Sequence, residues 1–275
     1  MQVRREQGFP QKGERALFWL GQAGFWFDTG DHRILIDPYL SDSLAKKYAG
    51  QVNDHQRMMP PPITPHELPE PDLVLVTHAH TDHMDPETLG PLATRFPDLP
   101  FVVPRAKLAV ARERIGTDAN LVSASDGQTL SPLPGLTLHV LPAAHETLDR
   151  DSEGNAHFLG YIIKAGGVTL YHSGDTIPFD GLSEAIGAIA PNVALLPVNG
   201  RDAVRLASGI PGNFTLEEAI TLCQDASIPW LVPHHFGMFA FNTLSEEAID
   251  AAAAKTSKPY ITKAVVGERL LLDLA

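Results

Sequence analysis

Four side chains that can bind metal lie within six residues, directly after an apolar run that predicts a buried strand. The run is Leu73-Val74-Leu75-Val76, and the cluster is His78-Ala79-His80-Thr81-Asp82-His83. Residues two apart in extended backbone point to the same side, so His78 and His80 can hold one ion while Asp82 and His83 face a second position. Two such ions, about 3.5–4 Å apart, can promote a hydrolysis. The cluster lies where a strand ends, which is where loops that carry functional sites are usually found. A histidine-rich turn without metal is the alternative.

Short strands and helices alternate along most of the chain. We expect strands near 16–20, 25–28, 33–37, 73–77, 101–103, 121–123, 136–141, 159–165, 168–172, 193–198, 230–233 and 268–272, and helices near 107–115, 182–189, 216–226 and 244–254. A further helix opens at Asp85-Pro86-Glu87, and capping boxes are expected at Thr215 and Thr243. The stretch 38–71 is predicted to be a long loop with a short helix near 43–48. The pattern indicates a single α/β (α+β) unit with four αββα layers and two β-rich halves, roughly 1–145 and 146–275.

Length and charge narrow the classes of partner. The chain has 275 residues, 44% of them hydrophobic, which is enough for a large core, and a formal net charge of −12. Nucleic-acid binding needs excess positive charge, so a nucleic-acid substrate is disfavoured. The single cysteine, Cys223, cannot form an intramolecular disulfide, and the first residues lack the apolar core of a signal peptide, so we expect a cytoplasmic location. No apolar run is long enough to span a membrane. A homo-oligomer is left open.

Three later strand ends carry further candidate ligands. His145 follows the predicted strand 136–141, Asp175 follows 168–172, and the pair His234-His235 follows 230–233. His145 could complete a set of three imidazoles, and Asp175 could place a carboxylate between two cations. A surface histidine and a turn-capping aspartate are the alternatives. The adjacent histidines point to opposite sides, so only one of them should bind metal.

Taken in order, the candidate residues resemble the motifs of the metallo-β-lactamase superfamily over nearly the whole chain: Asp37, His78-His80-Asp82-His83, His145, Asp175 and His235. Gly21-Gln22-Ala23-Gly24, Tyr171-His172-Ser173-Gly174-Asp175 and Pro233-His234-His235 are similar to a branch of Zn-dependent hydrolases that includes L-ascorbate-6-phosphate lactonase. In that branch the last ligand lies two residues after the proline, which selects His235 over His234. The lactonase pattern has an acidic residue where this chain has His145, so lactonase activity does not simply transfer.

The resemblance implies a metallo-β-lactamase sandwich with two divalent metal ions per chain, zinc or manganese first and iron or nickel as alternatives. The implied ligands form two sets with one bridging carboxylate: His78, His80 and His145; Asp82, His83 and His235; and Asp175 between them. A hydroxide between the ions would be the nucleophile, and Asp82 or Asp175 would pass its proton to the leaving group. Asp37 would accept a ring N–H behind the ligands, with a turn role before Pro38 as the alternative.

Substrate contacts are expected on two segments near these strand ends. Arg201 is the candidate anion anchor, because a guanidinium can grip a carboxylate or phosphate with two hydrogen bonds. A surface ion pair is its alternative. Asn199 and His234 are further candidate contacts, with His55 and Arg57 at the rim. For His55, Arg57 and His234 a solvated or packing role is the alternative and the better single interpretation. The resemblance to the lactonase branch implies a small anionic ester or lactone as substrate. A phosphodiesterase or nuclease on the same ions is the first alternative, and a non-catalytic metal-binding module the second.

Overall fold

Two β-sheets form the centre of the molecule in the computed structural model, which describes residues 1–274. The strands in chain order are β1 (Gln2–Gln7), β2 (Arg15–Gly21), β3 (Gly24–Thr29), β4 (Arg33–Ile36), β5 (Leu73–Leu75), β6 (Phe101–Pro104), β7 (Leu121–Ala124), β8 (Thr129–Leu130), β9 (Thr137–Pro142), β10 (Leu159–Ala165), β11 (Val168–His172), β12 (Val193–Pro197), β13 (Trp230–His234), β14 (Tyr260–Ile261) and β15 (Glu268–Asp273). The helices are α1 (Ser43–Lys47), α2 (Pro86–Arg95), α3 (Leu108–Ile115), α4 (Leu182–Gly187), α5 (Ala203–Ala207), α6 (Leu216–Asp225) and α7 (Glu246–Lys255). None of the helices within 1–274 is long and apolar enough to cross a lipid bilayer.

The first sheet has the strand order β1-β15-β2-β3-β4-β5-β6-β7, and the second has the order β14-β13-β12-β11-β10-β9-β8. Strands β2, β3 and β4 form an antiparallel meander. From β4 to β7 and from β11 to β14 the neighbours run parallel. Parallel neighbours end at the same edge of a sheet. The loops after β11 and β13 therefore leave the second sheet on one side.

Strand β3 illustrates how the layers pack. Phe25 and Phe27 point between the sheets and join a core that includes Ile162 of β10, whereas Trp26 points outward to the cluster formed with α2 and α3. Successive strand residues face opposite sides, so a strand covered on both faces has a continuous apolar run instead of an alternating pattern. On the far side, α4 and α6 add Ile186 and Leu222 to the core. The predicted four-layered αββα arrangement is confirmed.

Helix starts show where local rules succeed and fail. Thr215 and Glu218 form the predicted capping box, and Asp85 caps α2 with Pro86 in the first turn. The second predicted box is wrong, because α7 begins later and Ser245 caps it by accepting from the N–H of Ala248. The Thr243 hydroxyl instead accepts from the N–H of Gly237. A threonine already used inside a loop does not cap the next helix.

The sequence predicted two β-rich halves that meet near residue 145. The two sheets do not divide the chain at that point. Strands β8 and β9 belong to the second sheet because β9 pairs with β10, and β15 returns to the first sheet, where it pairs with both β1 and β2. Strand β1 lacked a strand signal because its charged residues are largely exposed. Within 38–71, α1 lies where the short helix was predicted.

Candidate metal centre

The ligand cluster after β5 lies on a tight turn. The backbone N–H groups of His83 and Met84 both donate to the carbonyl oxygen of His80, at 3.0 and 2.8 Å. The ring centre of His78 consequently lies 4.7 Å from that of His80 and 3.9 Å from that of His83. Strand β5 itself already ends at Leu75. A turn, and not the extended geometry expected from the sequence, brings these imidazoles to one side.

Three later strand ends bring the other candidate ligands to the same place. His145 follows β9, Asp175 follows β11 and His235 follows β13. Gly174 has a φ of +62°, and a Cβ at this residue would lie 2.7 Å from the carbonyl oxygen of Leu159. Only glycine fits this turn without strain. The chain can therefore leave β11 sharply and direct Asp175 into the cluster.

Asp175 lies between the donor atoms of the two expected sets. Its Oδ2 is 3.7 Å from Nε2 of His145 and 3.2 Å from Nε2 of His235, and its Oδ1 is 3.3 Å from Nε2 of His83. Three groups have donor atoms within 4.8 Å of one another: His78, His80 and His145; His78, His83 and Asp175; and Asp82, His83 and His235. The structure thus brings together all the residues proposed from the sequence as ligands.

Asp37 orients two of the imidazoles from behind. It is fully buried and its Oδ2 accepts from Nδ1 of His83 at 2.7 Å. The Thr77 hydroxyl donates to the same carboxylate at 2.5 Å, so its oxygen is left to accept from Nδ1 of His78 at 3.1 Å. An imidazole that donates through Nδ1 keeps the lone pair of Nε2 for a cation. Asp37 therefore lies where the sequence placed it, behind the cluster.

Several of the nitrogen and oxygen atoms that could bind a metal point into the cluster and have no hydrogen-bond partner there. Nδ1 of His145 donates to the carbonyl oxygen of Gly212 at 2.9 Å, which leaves its Nε2 facing Asp175. Nε2 of His78, Nε2 of His83 and Oδ1 of Asp175 are buried without a hydrogen-bond partner within 1–274. Buried polar atoms are rarely left unpaired. A cation is the partner that all of these lone pairs have in common.

Burial and neighbouring charges set the protonation states of the site. Burial lowers the pKa of His145 to about 4 and holds the pKa of His78 well below its usual value. The pKa of Asp175 is lowered well below its usual range, because the nearby His235 and His83 outweigh the effect of burial. For His83 burial lowers the pKa, but the carboxylates of Asp175 and Asp37 outweigh it and raise the value. The ionised carboxylates therefore favour the binding of positive charge within the ligand cluster.

Gln22 enters the site from the turn between β2 and β3, and sequence reasoning missed it. Its Nε2 donates to Oδ2 of Asp82 at 2.9 Å and lies 3.0 Å from Nε2 of His235. Its backbone oxygen accepts from the N–H of His235 at 3.0 Å, and its φ is +51°. The signal in the sequence was the single polar side chain inside Gly21-Gln22-Ala23-Gly24, on a turn between two buried strands.

A cavity of about 200 Å³ opens above the cluster. Its floor includes His80, Asp82, His145, Asp175 and His235. One wall is aromatic: Tyr48 stacks on His55 with 4.3 Å between ring centres, and Phe239 lies parallel to Phe241 at 6.0 Å. The loop 38–71 thus covers one side of the site through Tyr48 and His55. Arg57, the other rim candidate, points away and donates to the carbonyl oxygen of Ser41 at 2.9 Å.

The structure does not bring Arg201 to this cavity. Its two terminal nitrogens each donate to the Glu218 carboxylate at 2.6 Å, and one also donates to the carbonyl oxygen of Asn213 at 3.0 Å. Arg201 lines a separate cavity with Asn199, near α6 and α7. The alternative, in which Arg201 is half of an ion pair, is therefore correct.

The two other predicted substrate contacts are also corrected. Asn199 is 5% exposed and lies beside the site, where its Nδ2 donates to Oδ1 of Asn242 at 2.8 Å. His234 is 0% exposed and stacks on His172 with 4.9 Å between ring centres. As the last residue of β13, His234 faces the core, while His235, with a φ of +60°, turns into the site. A direct contact of His234 with substrate is excluded by its burial.

The adjacent histidines should differ when each is replaced. We expect His235→Ala to remove metal held by the Asp82, His83 and His235 group, because that change deletes one donor atom. His234→Ala should leave metal content intact and lower the free energy of unfolding by about 1–3 kcal/mol, the usual cost of a cavity in a core. Elemental analysis and thermal unfolding of both variants check this. Loss of metal in His234→Ala alone would reverse the assignment.

Shortening the Gln22 side chain should weaken metal binding by the Asp82, His83 and His235 group. Gln22→Asn keeps a residue that tolerates positive φ but withdraws the amide from Asp82. We expect metal affinity at that position to fall by about 10- to 100-fold, as is typical for an outer-shell contact. Competition with a chromophoric chelator measures it, and Gln51→Asn, at an exposed residue, is the matched control. Equal metal affinities in Gln22→Asn and Gln51→Asn would show that the Gln22 amide does not support metal binding.

Comparison with known proteins places this geometry in context. A model of the beta-lactamase superfamily domain matches residues 32–236. A UPF0173 metal-dependent hydrolase of Pyrobaculum aerophilum is 31% identical over 248 residues, which cover 88% of this chain and 93% of that protein. A UPF0173 metal-dependent hydrolase of Methanosphaerula palustris is 28% identical over 247 residues, covering 88% and 92%.

Solved structures share the fold at lower identity. An isothiocyanate hydrolase from Delia radicum gut bacteria has a TM-score of 0.74 and 19% identity, covering 94% of this chain and 98% of that one. A metallo hydrolase from Ignicoccus hospitalis has a TM-score of 0.71 and 22% identity, covering 94% and 99%. At these identities the likeness shows the fold alone.

Proposed function

The chain belongs to the beta-lactamase superfamily and, within it, to the UPF0173 family of metal-dependent hydrolases, and on this premise we propose a dinuclear hydrolase of small anionic esters or lactones. One metal position is formed by His78, His80 and His145. The other is formed by Asp82, His83 and His235. Asp175 serves both positions.

The observation that carries the proposal is the placement of Asp175. One of its oxygens approaches an imidazole of each set, 3.7 Å from His145 and 3.2 Å from His235. The unpartnered Nε2 atoms of His78 and His83 fit a cation, because imidazole and carboxylate are ligands that zinc and manganese accept. The two ionised carboxylates, Asp82 and Asp175, carry more negative charge than one bound proton can neutralise. These residues therefore suit two divalent ions.

The metal ions would polarise the scissile carbonyl and lower the pKa of water from about 15.7 to about 7. The chain's own residues then manage the proton. Asp82 lies on the cavity floor, and its Oδ2 is fixed by Gln22. Its Oδ1 has no hydrogen bond to other residues of 1–274 and is the atom that accepts a proton from the attacking water and passes it to the leaving group. The Asp82 pKa, which burial raises but His83 and His235 lower further, keeps this carboxylate ionised.

Cavity size and charge support the substrate class. A volume of about 200 Å³ lies below the roughly 300–1,000 Å³ of pockets for drug-sized ligands, so a small substrate fits better than a polymer. Lys47 lines the rim with its ammonium 5.0 Å from the Tyr48 ring centre, and no ion pair within 1–274 engages it. Arg114 also lines the cavity but donates to the carbonyl oxygen of Ala79 at 2.6 Å. Lys47 thus replaces Arg201 as the candidate for attracting an anion.

The test combines metal content with turnover. Protein stripped with a chelator and reloaded with zinc or with manganese is assayed against δ-lactones, aryl esters, thioesters and bis(p-nitrophenyl) phosphate. We expect two ions per chain, no turnover without metal, and kcat/KM values highest for lactones or esters that carry a carboxylate.

Two results would overturn the proposal. Full activity with a single ion per chain would contradict the dinuclear site, and a clear preference for the phosphodiester would favour phosphodiesterase activity. His66→Ala, at an exposed imidazole outside the ligand cluster, controls for metal bound at the surface.

A further inference from the structure

The amide of Asn242 is fixed in one orientation beside the metal centre. Asn242 is 9% exposed and lines the cavity above Asp82 and Asp175. Its Oδ1 accepts from a terminal nitrogen of Arg205 at 2.9 Å and from Nδ2 of Asn199 at 2.8 Å. A guanidinium can only donate, so the atom facing Arg205 must be the amide oxygen. Nδ2 is then the end left for the cavity.

The residues behind Asn242 hold it rigidly. Arg205 also donates to Asp202 at 2.6 Å and to the backbone oxygen of Asn199 at 2.9 Å. Oδ1 of Asn199 accepts from Nδ2 of Asn213 at 3.1 Å. Arg205, Asn199 and Asn213 thus each make a hydrogen bond to another member of this network. The arrangement therefore presets one donor direction.

That donor has no acceptor in the described part of the chain. Among residues 1–274 no hydrogen bond uses Nδ2 of Asn242, although both donors to its Oδ1 are in place. A positioned donor in a small cavity favours molecules that supply an acceptor and disfavours analogues that lack one. Phe241, the preceding residue, belongs to the aromatic wall of the same cavity.

Resting on the proposed hydrolase function, we propose that Asn242 is a substrate-binding residue that determines specificity. Its Nδ2–H donates to an oxygen of the substrate away from the scissile bond. The substrate class narrows to esters or lactones with a second oxygen acceptor, such as a carboxylate or an amide carbonyl. Lys47 adds attraction for the charged form, and Asn199 acts only through Asn242, as a positioning residue.

The test uses equilibrium binding, which does not require turnover. Cobalt-loaded protein is titrated with butyrate and with the dicarboxylates malonate, succinate, glutarate and adipate, and the visible spectrum gives Kd. One carboxylate serves as the probe for the metal centre and the second for Asn242. We expect at least one dicarboxylate to bind about 10-fold more tightly than butyrate, the range of a hydrogen bond to a charged group.

Asn242→Asp is the decisive variant, because it keeps the acceptor for Arg205 and Asn199 but replaces the free donor with an acceptor. It should abolish the preference for the dicarboxylate, leave cobalt content unchanged, and bind glutaramate more tightly than glutarate, because the amide of glutaramate can donate to the new carboxylate. Asn242→Ala should abolish the preference without this rescue. Asn120→Ala, at an exposed residue, is the control.

The possible results distinguish a failure of the Asn242 contact from a failure of the proposed hydrolase function. Equal binding of butyrate and all dicarboxylates by the parent protein would overturn the inference, as would equal weakening of both by Asn242→Asp. A preference that is lost in Lys47→Ala but retained in Asn242→Asp would assign the contact to Lys47 alone. If binding follows the expected pattern but no ester or lactone is hydrolysed, the proposed function fails while the Asn242 contact stands.

Discussion

Replacing Asp175 with alanine is expected to empty both proposed metal positions and to remove turnover. The carboxylate lies 3.2–3.7 Å from imidazoles of both sets, so its loss deletes a donor from each position and also the charge that balances the cations. We expect metal affinity to fall by more than the roughly 10- to 100-fold typical of outer-shell changes. Elemental analysis after gel filtration and steady-state kinetics measure both effects.

A single-set variant gives this prediction its contrast. His80→Ala removes a donor from the set that contains His78 and His145 and should release one ion per chain, not two. His66→Ala should release none. If Asp175→Ala retains one ion with unchanged affinity, Asp175 serves one position only and the bridging role is wrong.

Replacing Asp37 with alanine is expected to cost both stability and metal. Its carboxylate accepts from the Thr77 N–H at 2.8 Å, from the Thr77 hydroxyl and from His83 Nδ1, and all of these groups are buried. Each donor left unpaired in the core costs about 1–3 kcal/mol, so the free energy of unfolding should drop by about 3 kcal/mol or more. Urea denaturation of metal-free protein isolates this term from metal binding.

Asp37→Asn separates shape from charge. Asp37 has a φ of +42°, a conformation that asparagine tolerates far better than alanine. The amide keeps one acceptor but presents N–H groups to donors, so we expect intermediate stability and a weakened hold on His83. Wild-type metal affinity in Asp37→Asn would show that its charge is not needed behind the ligand.

The candidate ligands could be predicted because each is a metal-competent residue at the end of an apolar run. The periodicity of short strands locates His145, Asp175 and His235 without tertiary knowledge, and the dense run from His78 to His83 is typical of a metal site. The choice between His234 and His235 needed the family resemblance, since neighbours on a strand end differ only in direction. The structure supplies the physical reason, which is the left-handed backbone at His235.

The substrate contacts could not be predicted in the same way. Whether an arginine is free depends on which acid lies nearby in space, and Glu218, which engages Arg201, is 17 residues away in the chain. Asn242 had no signal, because its role depends on Arg205 and Asn199 fixing its amide from behind. Gln22 was visible as a motif, but only the turn geometry directs it to Asp82. Side-chain partnership, not residue type, decides these roles.

The position of β15 in the first sheet affects how the chain can fold while it is being synthesised. Strand β1 pairs in its sheet with β15 alone, and β15 separates β1 from β2. Until residues 268–273 have been synthesised, β1 has no partner and β2 presents an unpaired edge of the kind that promotes aggregation. The motif after β5 emerges long before that moment. A nascent chain that already contains His78 to His235 but lacks residues 268–273 would thus carry its candidate metal ligands while the first sheet is incomplete.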